Sequence, residues 1–157
     1  MKLELTGTEH VACDLASARA FLADAARVSR CLPDLEEVTL LEARRFVAVV
    51  RVGVGPVRGR FKMDVELAPS DDGNHLALSL RGSGMGSGLA MTSALSLTPV
   101  DAAHTDLAWS AEASVSGPLA SVGGRLLEAQ ARKTTEQLFA AIRAALEREV
   151  DGQVAVP

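Results

Sequence analysis

Apolar and polar residues alternate in seven stretches of this chain and fall into a helical period in two regions. Leu3 and Leu5 alternate with polar neighbours up to His10-Val11, which predicts an opening strand of about ten residues. Asp14 then reads as a helix N-cap. The Ala-rich run from Leu15 to Arg30 carries Phe21, Leu22, Ala25 and Val28 at helical spacing, and Asp24 offers a second cap, so two short helices in tandem are expected. Pro33 closes this region, because proline disfavours helix in the residue before it and has no amide to donate.

Val38 and Leu40, then Phe46, Ala48, Val50, Val52 and Val54, read as two strands around a turn near Ala43-Arg44-Arg45. Taking Gly55-Pro56-Val57-Arg58 as a four-residue hairpin loop sets Val54 opposite Gly59, Val52 opposite Phe61 and Val50 opposite Met63, all on one face. That register puts Arg51 opposite Lys62, a like-charge pair suited only to a solvated face, with Asp64 diagonal to it. Leu76, Leu78 and Leu80 alternate in the next strand, and Leu89, Met91, Ser93, Leu95 and Leu97 in the one after. A last strand carries Leu107, Trp109, Ala111, Ala113 and Val115 on one face and stops at Gly117-Pro118.

Pro118 suits the first turn of a helix, where its missing amide costs nothing. From there to about residue 149, Leu119, Leu127, Ala131, Thr134, Leu138, Ile142 and Ala145 fall on one side, with Arg125, Glu128, Arg132, Glu136, Arg143 and Glu147 opposite. Some 30 residues make a rod of roughly 45 Å, so the sheet has to curl to cover its apolar side. Gly123-Gly124 is a candidate kink. The expectation is therefore an α+β domain over residues 1–150, in which a curved antiparallel sheet of about seven strands wraps a long C-terminal helix, followed by a flexible tail at 151–157.

With 157 residues, 48% hydrophobic and 23% charged, the chain has enough apolar mass for one core. A net charge of -4, no Tyr and a single Trp give neither the basic footprint nor the stacking surfaces of nucleic-acid binding. The N-terminus lacks the apolar stretch of a signal peptide, so a cytoplasmic location is expected. Two cysteines, Cys13 and Cys31, are too sparse for a disulfide framework and are expected free and buried.

A sheet curled around one helix leaves a hollow, and the inward faces would line it with Phe61, Met63, Leu78, Met91, Leu95, Trp109, Leu127 and Leu138. Ser93, Gln130 and Thr134 are the candidate polar handles. Apolar walls with few convergent polar groups suit a lipid-like ligand; the same residues would equally build a solid core. Pro56 and the glycine run containing Gly84, Met85 and Gly86 are the candidate entrance loops. That run is not a phosphate loop, because the alternation from Leu89 to Leu97 is a strand where such a loop needs a helix.

No Gly-x-Ser-x-Gly elbow or spaced triad announces catalysis, and no catalytic residue is assigned. His10, His75 and His104 lie at strand ends or turns, where solvation is expected. His10, Cys13 and Cys31 are too scattered to count as a metal site, so no metal or cofactor is assigned. Cys31-Leu32-Pro33 shapes the exit of the second short helix, with a redox or docking role as the alternative. Arg44, Arg45, Arg51, Arg58, Arg60 and Lys62 cluster in two neighbouring hairpins, a surface that is either merely solvated or a contact for anionic lipid or an acidic partner.

The order of strand, helix pair, six antiparallel strands and long helix resembles the helix-grip fold of START-like (SRPBCC) domains. Within that group the chain resembles the CoxG family of carbon monoxide dehydrogenase subunits over residues 1 to about 147. The likeness rests on Met1-Lys2-Leu3-Glu4, Arg30-Cys31-Leu32-Pro33, the run from Val52 to Phe61, the glycines before Ala90, and the blocks Leu119 to Leu127 and Ala131 to Phe139. Two features depart from the family pattern. Pro33-Asp34-Leu35 stands where many relatives have Pro-Gly and a further Cys, so no role for that second thiol transfers. The chain also ends at Pro157, short of the amphipathic membrane-attaching tail of longer relatives, so stable anchoring is not expected.

The resemblance implies an accessory protein of molybdenum hydroxylases of the carbon monoxide dehydrogenase type. Its role would be membrane recruitment, as a peripheral protein at the inner face, or delivery of a lipophilic electron acceptor such as a quinone. A cyclase-, dehydratase- or hydrolase-type enzyme using the same cavity and a pure protein-interaction subunit are the alternatives.

Overall fold

Alternation and caps give the elements their places. The computed structural model describes residues 1–155, with side chains to Glu149. In chain order they are β1 (Lys2–Val11), α1 (Leu15–Leu22), α2 (Ala25–Ser29), β2 (Leu35–Glu42), β3 (Arg45–Val54), β4 (Val57–Pro69), β5 (His75–Gly84), β6 (Ser87–Asp101), β7 (His104–Ser116), a 3-10 turn (Ala120–Val122) and α3 (Gly124–Ala155). The caps work as their side chains require: Asp14 accepts from the Ser17 amide at 3.0 Å and Asp24 from the Ala26 amide at 2.9 Å, each filling an orphan donor of a helix start.

All seven strands form one antiparallel sheet in the order β1-β7-β6-β5-β4-β3-β2, so each neighbouring pair runs through the chain as a hairpin except β1 with β7. One face of this sheet carries the apolar set and holds α3, which lies against β1, β3 and α1. The helix pair closes one end of the resulting palm: α1 packs on β6 and β7, α2 on β2 and β3. Arg27 stitches the pair to α3 through Glu149 at 3.1 Å, and its guanidinium sits 5.2 Å above the Phe21 ring.

Three expectations need correction. The β3–β4 loop has two residues, Gly55-Pro56, rather than four, so Val54 faces Val57, Val52 faces Gly59, Val50 faces Phe61 and Ala48 faces Met63. Gly55 has φ 57°, which fits the glycine-first arrangement of a type II′ turn and matches the twist of the strands better than a longer loop. A shift of two residues keeps every side chain on its expected face, while the cross-strand partner of Arg51 becomes Arg60 instead of Lys62.

The glycine run is not a loop either. Gly82 and Gly84 belong to β5, and Met85 (φ 55°) and Gly86 (φ 74°) form a two-residue turn with both central angles positive, as a type I′ hairpin demands. Glycine is needed inside this strand because a Cβ at Gly82 would collide with the Phe61 ring, and one at Gly84 with the Arg60 carbonyl.

The last helix begins at Gly124, not Pro118. Residues 120–122 make a separate 3-10 turn whose end at Gly123 has φ 99°, a conformation that breaks the helix rather than bending it. The Leu119 amide instead donates to the Ser87 hydroxyl at 2.9 Å, tying this turn to β6. α3 runs on to Ala155; of the expected tail at 151–157, residues 156 and 157 lie outside the described residues.

Candidate functional site

The apolar face of the sheet is unevenly filled. Toward the helix pair, Val11, Phe46, Ala48, Val65, Leu67, Leu97 and Leu107 are all buried to 5% exposure or less, a close-packed core. Toward the hairpin tips, under the first half of α3, Val54, Phe61 and Val115 are buried, while Leu3, Leu89, Met91, Ser93, Ala111 and Ala113 on the same face are only half-buried. Of the expected lining residues, Phe61, Met63, Leu95 and Leu127 are buried; Leu78, Met91, Ser93, Trp109, Gln130 and Leu138 are half-buried. Thr134 is exposed, a correction that follows from the rotation of α3. Its buried stripe runs through Leu127, Phe139, Ile142 and Leu146, one residue further round than the expected one, and swings Thr134 toward solvent and Arg143 inward. Pro56, Met85 and Gly86 sit in the two turns at the less filled end, and Gly84 in the adjoining strand.

Trp109 lies where the filled and half-buried parts meet, beside Leu95 and Gly7 on neighbouring strands. Its indole spreads over β1 because position 7 has no side chain: a Cβ there would fall 2.9 Å from the indole nitrogen. On α3, the Phe139 ring stacks with it at 5.6 Å between centroids and 26° between planes. The indole Nε1 is buried and has no hydrogen-bond partner, which costs about 1–3 kcal/mol in a folded protein. The other polar handles are already engaged: the Ser93 hydroxyl donates to the Ser110 carbonyl at 2.8 Å, and Gln130 donates to Thr134 at 3.3 Å. At the far edge, Glu9 is held by Arg143 at 2.8 Å, and Arg143 also donates to the His10 carbonyl at 3.0 Å.

A long helix gripped by a seven-stranded antiparallel palm, with the helix pair at one end, is a START-like architecture. The sequence model of the carbon monoxide dehydrogenase CoxG family matches residues 7–147. The chain belongs to this family. Solved structures agree on the fold. A conserved protein from Geobacillus kaustophilus superposes with a TM-score of 0.84 at 21% identity, covering 93% of this chain and 96% of that one. A START superfamily protein from Mycobacterium smegmatis gives 0.71 at 15% identity, covering 92% and 97%. The Zhui aromatase/cyclase from Streptomyces sp. gives 0.58 at 19%, covering 99% and 98%. No curated protein matches the chain.

Elsewhere on this CoxG family member, the reactive residue types are quiet. Cys13 and Cys31 are free and buried. Burial, with smaller contributions from the Asp14 and Glu149 charges, pushes the Cys13 thiol up to about 11, and burial also raises Cys31, so both stay protonated at neutral pH. His10 lies on the exposed side against Asp106 at 2.5 Å, so it does not join the buried thiols; His104 pairs with Asp101 and His75 meets Ser96. Among the described residues no group of three His, Cys, Asp or Glu side chains is placed to hold a metal ion.

The basic cluster is partly neutralised. Arg45 is paired with Asp64 at 2.8 Å, and Glu36 holds both Arg51 (2.5 Å) and Arg60 (2.8 Å). Arg51, Arg58 and Arg60 border a shallow groove of about 600 Å³ on the outer surface of β3 and β4. A second groove of about 570 Å³ crosses the outer face of the sheet, where Lys2, Glu4, Arg45, Asp64, Arg81 and Glu112 mix both signs of charge. No helix among the described residues is long and apolar enough to cross a membrane.

Phe139, Gly7 and the Glu9–Arg143 pair are absent from the sequence-derived site. A wider apolar stripe, including Phe139 and Leu146, would have pointed to the first. Nothing local marks Gly7, whose role appears only once Trp109 is laid across it.

Proposed function

We propose that this chain is a non-enzymatic carrier that holds a lipophilic small molecule, quinone- or lipid-like, between the concave face of the sheet and the first half of α3. The observation that carries this reading is the uneven filling of that face: apolar side chains of β5, β6, β7 and β1 stay half-buried beneath a helix, where a finished core would close on them. Membership of the CoxG family supports service to a molybdenum hydroxylase of the carbon monoxide dehydrogenase type, by delivering an electron acceptor or by bringing the enzyme to the inner face of the membrane. The arginine-bordered groove on β3 and β4 is the surface for such contacts in this reading.

An enzyme in the same space needs an ionisable group facing the guest, and Glu9, on that face, is already tied to Arg143. Native mass spectrometry of gently purified protein, followed by solvent extraction, is the test. An apolar guest released on extraction is the expected result. Bare protein with no affinity for quinones or fatty lipids would overturn the proposal.

A further inference from the structure

Among the described residues, the indole N–H of Trp109 is the single buried side-chain polar atom that finds no partner. An indole nitrogen only donates, so what it lacks is an acceptor. Its strand partners Gly7 and Leu95 and its ring partner Phe139 bring no side-chain acceptor to it. The candidate polar handles are turned to other partners: the Ser93 hydroxyl donates to the Ser110 carbonyl and the Gln130 amide donates one of its two protons to the Thr134 hydroxyl. The cation on this side of α3, Arg143, is neutralised by Glu9, so nothing offsets the charge of an anionic guest.

We propose that Trp109 Nε1 is the polar anchor of the guest, and that the guest class is a neutral lipophile ending in an oxygen acceptor, such as a ketone, rather than a hydrocarbon or a free carboxylate. This deepens the carrier reading and rests on it. Trp109 stands at the border of the filled core, so the acceptor end enters deepest and the apolar remainder lies toward Met91, Ala113 and the hairpin tips. The stack on Phe139 and the flat seat on Gly7 fix the ring, which makes the donor a pre-set feature of the folded chain.

The single Trp makes the test direct. Three probes of one shape are titrated into the whole protein: 1-acetonaphthone (a ketone), 1-ethylnaphthalene (its hydrocarbon counterpart) and 1-naphthoate (the anion). Calorimetry gives affinities, and the lone indole N–H resonance reports the bond in the wild-type chain. The expected result is ketone binding about tenfold tighter than either other probe. A downfield shift of the indole proton should accompany the ketone alone. Trp109→Phe, which keeps an aromatic ring opposite Phe139, should bring the ketone to the hydrocarbon's affinity, so that the ratio of the two falls from about ten to about one whatever change the smaller ring imposes on both.

Equal affinities of ketone and hydrocarbon with an unmoved indole proton overturn the anchor while the carrier reading stands. Tightest binding of the naphthoate overturns the neutral-guest assignment. Failure of all three probes to bind the wild type counts against the carrier reading itself and takes the anchor with it.

Discussion

At the scale of single residues, glycine decides where rings lie. Gly82 and Gly7 act by the same means, an absent Cβ that lets a large aromatic from the next strand cover the backbone: Phe61 in one case, Trp109 in the other. Gly53 is different, since a Cβ there would meet only the Arg58 side chain at 3.8 Å. Gly82→Ala should therefore lower stability by about 1–3 kcal/mol by displacing buried Phe61. Gly53→Ala should be neutral or slightly stabilising, as a side chain restricts the unfolded chain. Urea midpoints of the two variants check this; equal midpoints would remove the packing role assigned to Gly82. Alternation made Gly53 readable as strand but left Gly82 in a loop, and it could not show the need for glycine, which belongs to a neighbour that only pairing brings near.

At the scale of elements, β2, β3 and β4 are held in register against their own charges. Arg51 faces Arg60 directly, which is unfavourable across a strand pair, and Glu36 on β2 offsets it by accepting from both. The hydrogen bond from Arg51, with the attraction of Arg60, holds the Glu36 carboxyl below its usual range, and the Arg45 hydrogen bond does the same for Asp64. Lowered folded values mean that this stabilisation is fully present above the ordinary carboxylate range near pH 4 and is lost as pH falls through the lower folded values. Glu36→Gln should thus depress the melting temperature by roughly 1–3 °C at low ionic strength, and the gap should close in high salt. Melts at neutral pH in low and high salt provide the check; a salt-independent gap would mean that shape rather than charge was lost. Glu36 has the parity of Val38 and Leu40 and reaches the solvent side only through the irregularity between Leu35 and Glu37. The alternation did place Arg51 and Asp64 on that side. It missed their partners by two positions, because Gly-Pro followed by Val-Arg is compatible with a loop of two residues or of four, and side-chain parity is the same for both.

At the scale of the whole molecule, the question is whether the half-filled end of the palm takes a guest. Ala111, on the inner face of β7, is half-buried there. Ala111→Leu adds three carbons into that end. A guest space predicts at least tenfold weaker binding of 1-acetonaphthone, with the melting temperature unchanged or raised by the extra burial. A fall of several degrees with binding intact would show an already packed core, since overfilling strains one. Calorimetry and thermal melts on the same variant separate the two outcomes.

By itself, the sequence determined the order of the elements, the caps at Asp14 and Asp24, the apolar faces of the strands apart from the irregular β2 and, through its motif blocks, the family; these depend on residues close together along the chain, where period and local hydrogen bonding act. Tertiary structure alone decided the hairpin register, the rotation of α3 that trades Thr134 for Phe139, the seat of Trp109 on Gly7, and the difference between the two ends of the palm. Each of these depends on which of several equally apolar surfaces meet and how closely. Packing settles that choice across distant segments, and no periodicity within one segment can encode it.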